Sequence, residues 1–314
     1  MKRTLTLSLA VTLLGIFTWF GTAYTKTRAP HLEGHGGPPE IILHRTNPHT
    51  AGQAVPAGST GKANPAINYR GGPVISTPVI YIIWYGNWNQ ANNSDTPSGQ
   101  QIVRDFANSI GNSPYFNINA TYGGVSGNVL FGRETSDNYS RGSNLQDSDV
   151  QTIVANAISS NQLPYDADGV YFVLTSSDVS EASGFCSRYC GWHTAGTPSV
   201  GHIRYSFVGN ANRCLSSCAI QTIGPNGNAG VDAMISVIAH ELEEAATDPD
   251  INAWLDNRGA ENADKCAWTF GSRQFKASNG AFYNMTLGSR NYLIQRNLAA
   301  TDSKCYTDYG NRYQ

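Results

Sequence analysis

His240 and Glu244 are the residues of this sequence best placed to hold a metal ion. They lie four positions apart, between Val231 and Pro249, in a segment whose apolar residues recur at helical spacing. Four positions is about one helical turn, so the imidazole and the carboxylate project from one face and can reach the same ion. Glu241 points about a quarter turn away, where it could accept a proton from water at the ion. The pattern predicts a hydrolytic metal site.

An acidic segment downstream is expected to supply a third ligand. Glu261 and Asp264 lie just before Cys266, and a disulfide at that cysteine would hold the segment near the core. Glu-x-x-Asp after a metal-binding helix is similar to the pattern of glutamate zincins, in which the glutamate binds the ion and the aspartate orients the histidine. That resemblance implies that Glu261 is the ligand and that Asp264 orients the histidine. The reverse assignment is also open.

Zinc is the expected ion. A His-Glu-x-x-His helix serves zinc peptidases, in which the intervening glutamate activates water. Glu244 stands where the second histidine would be, and because a carboxylate is a harder ligand than an imidazole, another divalent ion is also open. The opposing interpretation is that the acidic side of the helix is only its solvated face. The strongly apolar first turns and the nearby Glu-x-x-Asp favour the metal.

Two further groups are weaker candidates. His193 could donate a hydrogen bond to a substrate, although a structural histidine is the simpler interpretation. The alternating acidic residues from Asp248 to Asp256 resemble a calcium loop, but the required glycine and terminal glutamate are missing at the expected offsets. We therefore interpret Asp248 as a helix-terminus or turn residue.

The N-terminal residues indicate export. Lys2 and Arg3 precede an apolar run from Leu5 to Phe20 and the small residues Gly21-Thr22-Ala23, which predicts a signal peptide over 1–23. No later stretch is apolar enough to cross a bilayer, so no membrane span is expected in the mature protein. The net charge is -2, with 14% charged residues and no basic cluster, which argues against a nucleic-acid partner.

Six cysteines in an exported chain predict three disulfides. They are Cys186, Cys190, Cys214, Cys218, Cys266 and Cys305. The first four form two pairs with a spacing of four, which suits one local bridge in each pair and leaves the last two cysteines to bridge each other. Sequence alone leaves other pairings open among the fifteen that six cysteines allow. A four-thiolate zinc site is the alternative for the first four, but it prefers closer spacing and a reducing compartment.

Composition divides the exported part in two. Residues 24–68 are rich in Pro, Gly, His and Asn, which predicts a disordered linker or pro-segment. Residues 69–314 carry predicted strands and helices and form one domain. The strands are predicted at 78–86, 127–132, 169–175 and 203–208, and the helices at 100–110, 145–161 and 232–247. This order predicts an α+β or α/β fold, and with the metal-binding helix a single zincin-like domain with a mixed sheet.

Several segments resemble the Exordium or phosphate-induced protein family, in the family's order. They are Gly71-Gly72-Pro73-Val74, Ile82-Ile83-Trp84-Tyr85-Gly86-Asn87-Trp88, Leu174-Thr175-Ser176-Ser177-Asp178-Val179, Phe185-Cys186 with Cys190-Gly191, and Tyr205-Ser206-Phe207-Val208-Gly209-Asn210. The resemblance implies an extracellular or wall-associated protein without an established enzymatic activity. Our expectation is a branch of that family that retains a zincin-like His-Glu-x-x-Glu helix, where plant members carry apolar residues.

Two functions compete. The first is a secreted metal-dependent hydrolase, resembling a zinc metallopeptidase, that uses Glu241 as general base on a peptide or cell-wall-associated substrate. The alternative is a non-catalytic extracellular growth or interaction protein of the Exordium type, in which the same residues hold a structural ion or none. A closed site without an exchangeable water would favour the alternative, because catalytic sites keep a coordination position open.

Overall fold

The computed structural model describes residues 55–311. The predicted signal peptide and residues 24–54 of the predicted linker or pro-segment lie outside the described residues. Residues 55–68 run along the domain, where the backbone N–H of Phe270 donates to the carbonyl of Pro56 (2.8 Å) and that of Ala63 to the carbonyl of Ser303 (2.7 Å). Val55 is buried beside Phe270. This part of the predicted segment therefore packs with the domain.

A five-stranded sheet forms the centre of the domain. Its strands are β1 (Val79–Tyr85), β2 (Leu130–Asp137), β3 (Gly169–Thr175), β4 (Gly191–Gly196) and β5 (Ile203–Gly209). They lie in the order β2-β1-β3-β5-β4. The first four strands in this order are parallel, and β4 runs antiparallel along the edge of β5. All residues of β3 are buried, as expected for a strand in the middle of a sheet that is covered on both faces.

The domain has three main helices: α1 (Pro97–Ala107), α2 (Asp147–Ser159) and α3 (Ala229–Thr247). Helices α2 and α3 pack on the sheet, and α1 packs on α3. Two glycines of the edge strand β4 show which faces of the sheet α2 and α3 cover. A side chain at Gly191 would collide with Val237 of α3, and one at Gly196 would collide with Gln151 of α2. Because these glycines are an odd number of residues apart, they face opposite sides of the sheet. Helices α2 and α3 therefore cover opposite faces near β4.

Side chains define where the helices begin. The Thr96 hydroxyl accepts from the backbone N–H of Gly99 at the start of α1, and the Asn228 side chain accepts from Val231 at the start of α3. These bonds satisfy backbone donors that have no partner within the first turn. Gln146 and Asp149 form a reciprocal capping box before α2.

Short elements complete the described chain. Two-stranded antiparallel ladders join Asn68–Tyr69 with Trp254–Leu255, Phe275–Lys276 with Phe282–Tyr283, Met285–Leu287 with Arg290–Tyr292, and Asn297–Ala299 with Lys304–Tyr306. A parallel pair joins Asn144–Leu145 with Ser180–Glu181. Short helical segments span Phe116–Thr121, Ala211–Arg213, Leu215–Cys218 and Asp264–Cys266.

The predicted α+β class is confirmed by this mixture of helices and strands. The four predicted strands and three predicted helices all occur, with shifts at their ends. The largest shift is at the end of β2, which extends to Asp137 rather than to residue 132. The same strand begins at Leu130 rather than at Gly127, because Gly127 takes a positive φ of 81° in a bend. The sequence analysis did not predict β4, which lies within the cysteine-bearing loop. Within the described residues, no helix combines the length and hydrophobicity required to cross a membrane.

The three disulfides are present, but the local pairing predicted for the first four cysteines is wrong. Cys186 is bonded to Cys214 and Cys190 to Cys218, each pair separated by 28 residues. The two Cys-x-x-x-Cys segments lie side by side. The first cysteine of one segment therefore bonds to the first cysteine of the other, and the second cysteine to the second. The predicted bond between Cys266 and Cys305 is confirmed.

Tryptic mapping under non-reducing conditions checks the crossed pairing. Trypsin cleaves after Arg188 and therefore separates Cys186 from Cys190. It leaves Cys214 and Cys218 on one peptide, because no lysine or arginine lies between them. We expect both upstream peptides to be linked to that downstream peptide, giving a complex of three peptides by mass spectrometry. Upstream peptides linked only to each other would instead show local bridges.

Candidate metal centre

Helix α3 carries its acidic residues into the core. Of its 19 residues, all but the first and Ala233 are buried. His240, Glu241, Glu243 and Glu244 are each at most 1% exposed. The interpretation of these residues as a solvated helix face is therefore wrong. An ionised carboxylate in such a place requires a cation or strong hydrogen bonds to offset the loss of water.

His240 and Glu244 have the geometry of two ligands of one ion. His240 Nε2 lies 2.9 Å from Glu244 Oε1. Among the described residues, neither ring nitrogen of His240 has a hydrogen-bond partner of good geometry. Two groups that each bind zinc at about 2.1 Å lie about 3 to 3.5 Å apart. The one-turn spacing in α3 thus places both donor atoms where a shared ion requires them.

Asp264 completes a first group of donors with these two residues. Its Oδ1 lies 3.5 Å from His240 Nε2, and its backbone N–H donates to Glu244 Oε1 (3.1 Å). Asp264 begins the helical turn Asp264–Cys266, and the disulfide of Cys266 holds that turn. The Asp264 side chain is 15% exposed, which makes it the ligand candidate with the most access to solvent.

His193, Glu244 and Glu261 form a second group of donors. His193 Nε2 lies 3.2 Å from Glu261 Oε2 and 3.7 Å from Glu244 Oε2. His193 lies on β4 two residues after Gly191, so alternation along the strand directs it to the face that α3 covers. All three side chains are buried. Glu244 belongs to both groups.

The structure brings the four predicted ligands together but distributes them over the two groups. Glu261 and Asp264 each lie near a different histidine, so both candidate assignments of the third ligand have a geometric basis. The sequence analysis missed His193 as a ligand and treated it as a structural histidine. The aromatic and β-branched pattern Gly191-Trp192-His193-Thr194 could have indicated a strand there, but not the helix that it faces.

Glu241 differs from the other acidic residues of the helix. It belongs to neither donor group, and within residues 55–311 both of its carboxylate oxygens are buried without a hydrogen-bond partner. Burial and the charge of Glu244 raise the pKa of Glu241 well above its usual range. Glu243, by comparison, accepts a hydrogen bond from the Tyr115 hydroxyl (3.0 Å). The protein thus provides a partner for one of the two oxygens of Glu243 and for neither oxygen of Glu241.

Burial and neighbouring charges shift the pKa values of several donor side chains strongly, and in different directions. Burial, followed by the charge of His240, lowers the pKa of His193 to about 3, so this imidazole is neutral, as a metal ligand must be. Burial alone would lower the pKa of His240, but Glu244 and Asp264 raise it well above its usual value. Burial raises the pKa of Glu244 to about 7, although His240 opposes that rise. Without a cation these carboxyl groups resist ionisation.

Asp248 has the turn role predicted for it. It ends α3, and its Oδ1 accepts from the backbone N–H groups of Asn252 (2.6 Å) and Ala253 (2.5 Å). Burial raises the pKa of Asp248 to about 6, against the effect of these hydrogen bonds. Asp250 is engaged elsewhere, with Oδ1 2.9 Å from Arg204 Nε. These contacts give no support to a calcium loop.

The donor set fits a divalent cation. Three of its buried atoms, His240 Nε2, Glu244 Oε2 and Glu261 Oε1, have no hydrogen-bond partner in the described part of the chain. Imidazole nitrogens with carboxylate oxygens are ligands that zinc and similar ions accept. These residues can therefore hold a metal ion.

Comparison with known proteins places this chain in a family. The model of the phosphate-induced protein 1 conserved region matches residues 67–308. The chain belongs to that family. Relatives include protein EXORDIUM-like 3 of Arabidopsis thaliana, 32% identical over 73% of this chain and 79% of the relative. EXORDIUM-like 5 of the same plant is 34% identical over 73% of this chain and 74% of its own.

A more distant relative is protein PHOSPHATE-INDUCED 1 of Nicotiana tabacum, 25% identical over 78% of this chain and 88% of its own. No solved structure gives a significant match. Both donor groups lie inside the region that the family model matches. The three disulfides and the phosphate-induced and EXORDIUM-like relatives are consistent with an extracellular protein.

Removal of a bound cation should destabilise this protein, because the buried carboxylates would lose their counter-charge. A ligand at 100 times its dissociation constant stabilises by about 2.7 kcal/mol, which corresponds to a fall in Tm of about 5–10 °C on chelation. Differential scanning fluorimetry with and without chelator, and after zinc is restored, measures this shift. The Glu244→Gln variant should lose the shift, whereas Glu134→Gln, in a surface ion pair with Arg104, should retain it. An identical Tm with and without chelator would exclude a stabilising cation.

Proposed function

We propose that this protein is a secreted metal-dependent hydrolase with peptidase-like chemistry, in a branch of the phosphate-induced protein 1 family that retains a zincin-like helix. The observation that carries the proposal is Glu241, a buried carboxylate without a hydrogen-bond partner in the described chain, next to two groups of metal donors. His240 and Glu244, with Asp264 or Glu261, would hold the ion. Zinc is the expected metal because of its preference for such donors.

The state of Glu241 favours catalysis over a purely structural ion. A buried carboxylate without partners costs free energy, on the order of 1–3 kcal/mol or more, and a structural metal site needs only its ligands. The fold evidently can supply a partner, since Glu243 has Tyr115. Glu241 keeps both oxygens available, as a group that accepts and returns protons must.

The position of α3 supports the zincin-like part of the proposal. The helix follows β5 in the chain and packs on the sheet beside the antiparallel edge strand β4. Side chains from the helix, from the edge strand and from the segment after the helix therefore converge at one place. Each of these three elements contributes at least one donor.

In this proposal a bound zinc ion supplies Lewis acidity, which polarises the scissile carbonyl and lowers the pKa of water towards about 7. Glu241 accepts the proton of the attacking water and returns it to the leaving amine. The imidazoles and carboxylates of the donor groups, held rigid by burial, orient the reactants. Water and substrate would have to approach past Asp264, the donor residue with the most exposed side chain.

The burial of the donors also favours a second function. Apart from Asp264, every donor side chain is at most 1% exposed, and structural metal sites are closed in this way. In that function the protein is a non-catalytic extracellular protein of the EXORDIUM type whose ion stabilises the domain. The two functions differ in what Glu241 does.

The Glu241→Gln variant tests the proposed base. The amide retains the shape of the side chain but cannot accept a proton, so turnover should fall by at least about 100-fold. Metal content should remain at the wild-type level, because Glu241 is outside both donor groups. Cleavage of a peptide library, followed by mass spectrometry, measures turnover, and elemental mass spectrometry measures the metal.

Glu243→Gln is the matched control, since Glu243 is equally buried in the same helix but bonded to Tyr115. This variant should keep most of its turnover. Full turnover in Glu241→Gln would remove the base from the mechanism. A metal-loaded wild type that cleaves no peptide would favour the structural ion.

A further inference from the structure

Glu244 directs its two carboxylate oxygens at two different histidines. Oε1 lies 2.9 Å from His240 Nε2, whereas Oε2 lies 3.7 Å from His193 Nε2. Oε2 is buried and, within residues 55–311, has no hydrogen-bond partner. A carboxylate whose oxygens face separate imidazoles is arranged to bridge two ions, one on each oxygen.

The remaining donors divide in the same way. Asp264 joins His240 around Oε1, and its backbone N–H also donates to that oxygen (3.1 Å). Glu261 joins His193 around Oε2 of Glu244. The Oε2 atom of Glu261 itself lies 3.2 Å from His193 Nε2. The donor atoms of each group lie within 4.8 Å of one another, and the two histidines fall in different groups. Each group thus contains one imidazole and one carboxylate of its own, besides Glu244.

Charge also indicates more than one cation. Four carboxyl groups lie together at this place: the donors Glu244, Glu261 and Asp264, with Glu241 beside them. Among the described residues, the ion-pair partners of the donor carboxylates are only His193 and His240, and a metal-bound imidazole is neutral. With all four carboxyl groups ionised, one divalent cation would cancel two of the four negative charges, whereas two cations would cancel all four. Uncompensated charge in a buried site is costly.

We propose that this centre holds two divalent cations bridged by Glu244, one bound by His240 and Asp264 and the other by His193 and Glu261. The proposal rests on the proposed function, because it extends the same metal site from one ion to two. Two-metal hydrolytic sites hold their ions about 3.5–4 Å apart, a separation that one bridging carboxylate spans. Nitrogen and oxygen donors without thiolates suit zinc or manganese.

Metal stoichiometry tests this proposal. Mature full-length protein is loaded with zinc, dialysed against metal-free buffer and analysed by elemental mass spectrometry. We expect about two zinc ions per chain in the wild type, about one in His193→Ala and about one in His240→Ala. Glu244→Gln, which alters the bridge, should retain less than one. His202→Ala is the control, because His202 pairs with Asp250 outside both groups, and it should retain two.

Conservative variants distinguish the loss of an ion from the loss of the fold. Glu261→Gln and Asp264→Asn preserve side-chain shape, and each should remove one ion while circular dichroism remains that of the wild type. Manganese loading gives an independent readout, because two bridged Mn²⁺ ions produce an exchange-coupled electron paramagnetic resonance spectrum. That coupling should vanish in His193→Ala.

The outcomes separate this proposal from the proposed function. One ion in the wild type, lost from both histidine variants, would overturn the second site and leave a single-metal hydrolase intact. A wild type that holds only one ion, and keeps that ion in His193→Ala, would overturn the second site as well. No bound ion in the wild type would overturn both proposals.

Discussion

The burial of several carboxylates in one helix is the constraint on which this structure depends. Helix α3 lies in the core, so His240 and its neighbouring glutamates cannot be solvated. An ionised carboxylate in that environment requires a cation or strong hydrogen bonds. Glu243 has a tyrosine partner, but the donors around Glu244 face one another, and only histidines are in ion-pair range within the described chain. A bound metal ion would resolve this conflict by supplying the missing positive charge.

The scaffold brings the donors together from three directions. Helix α3 supplies two of them at one-turn spacing, the edge strand β4 supplies His193, and the segment after α3 supplies Glu261 and Asp264. Disulfides brace the two segments that come from outside the helix. The Cys190–Cys218 bond adjoins the start of β4, and the Cys266–Cys305 bond anchors the acidic segment. Cross-links so close to donors restrict their movement, which favours a preformed site over one assembled by the ion.

Family membership relates this chain to known proteins, whereas the chemistry of the site depends on its individual side chains. The phosphate-induced protein 1 region covers both donor groups, and the EXORDIUM-like relatives are consistent with an extracellular location. The chemistry, however, is argued from individual side chains, since fold and family by themselves do not define a reaction. A rigid, nearly closed donor set could serve a structural ion equally well. Glu241, buried and unpartnered in the described chain, is the residue that a structural ion does not explain.

Local sequence determined the helix, the shared face of His240 and Glu244, four of the strands and the α+β class, because these follow from hydrophobic periodicity and one-turn spacing. It also placed Glu261 and Asp264 near the helix and paired Cys266 with Cys305 correctly. Tertiary structure decided the rest. The crossed bonds of the first four cysteines depend on two segments lying side by side, which spacing along the chain cannot show. His193 becomes a candidate ligand only because antiparallel pairing with β5 turns it towards α3, a contact between residues far apart in sequence.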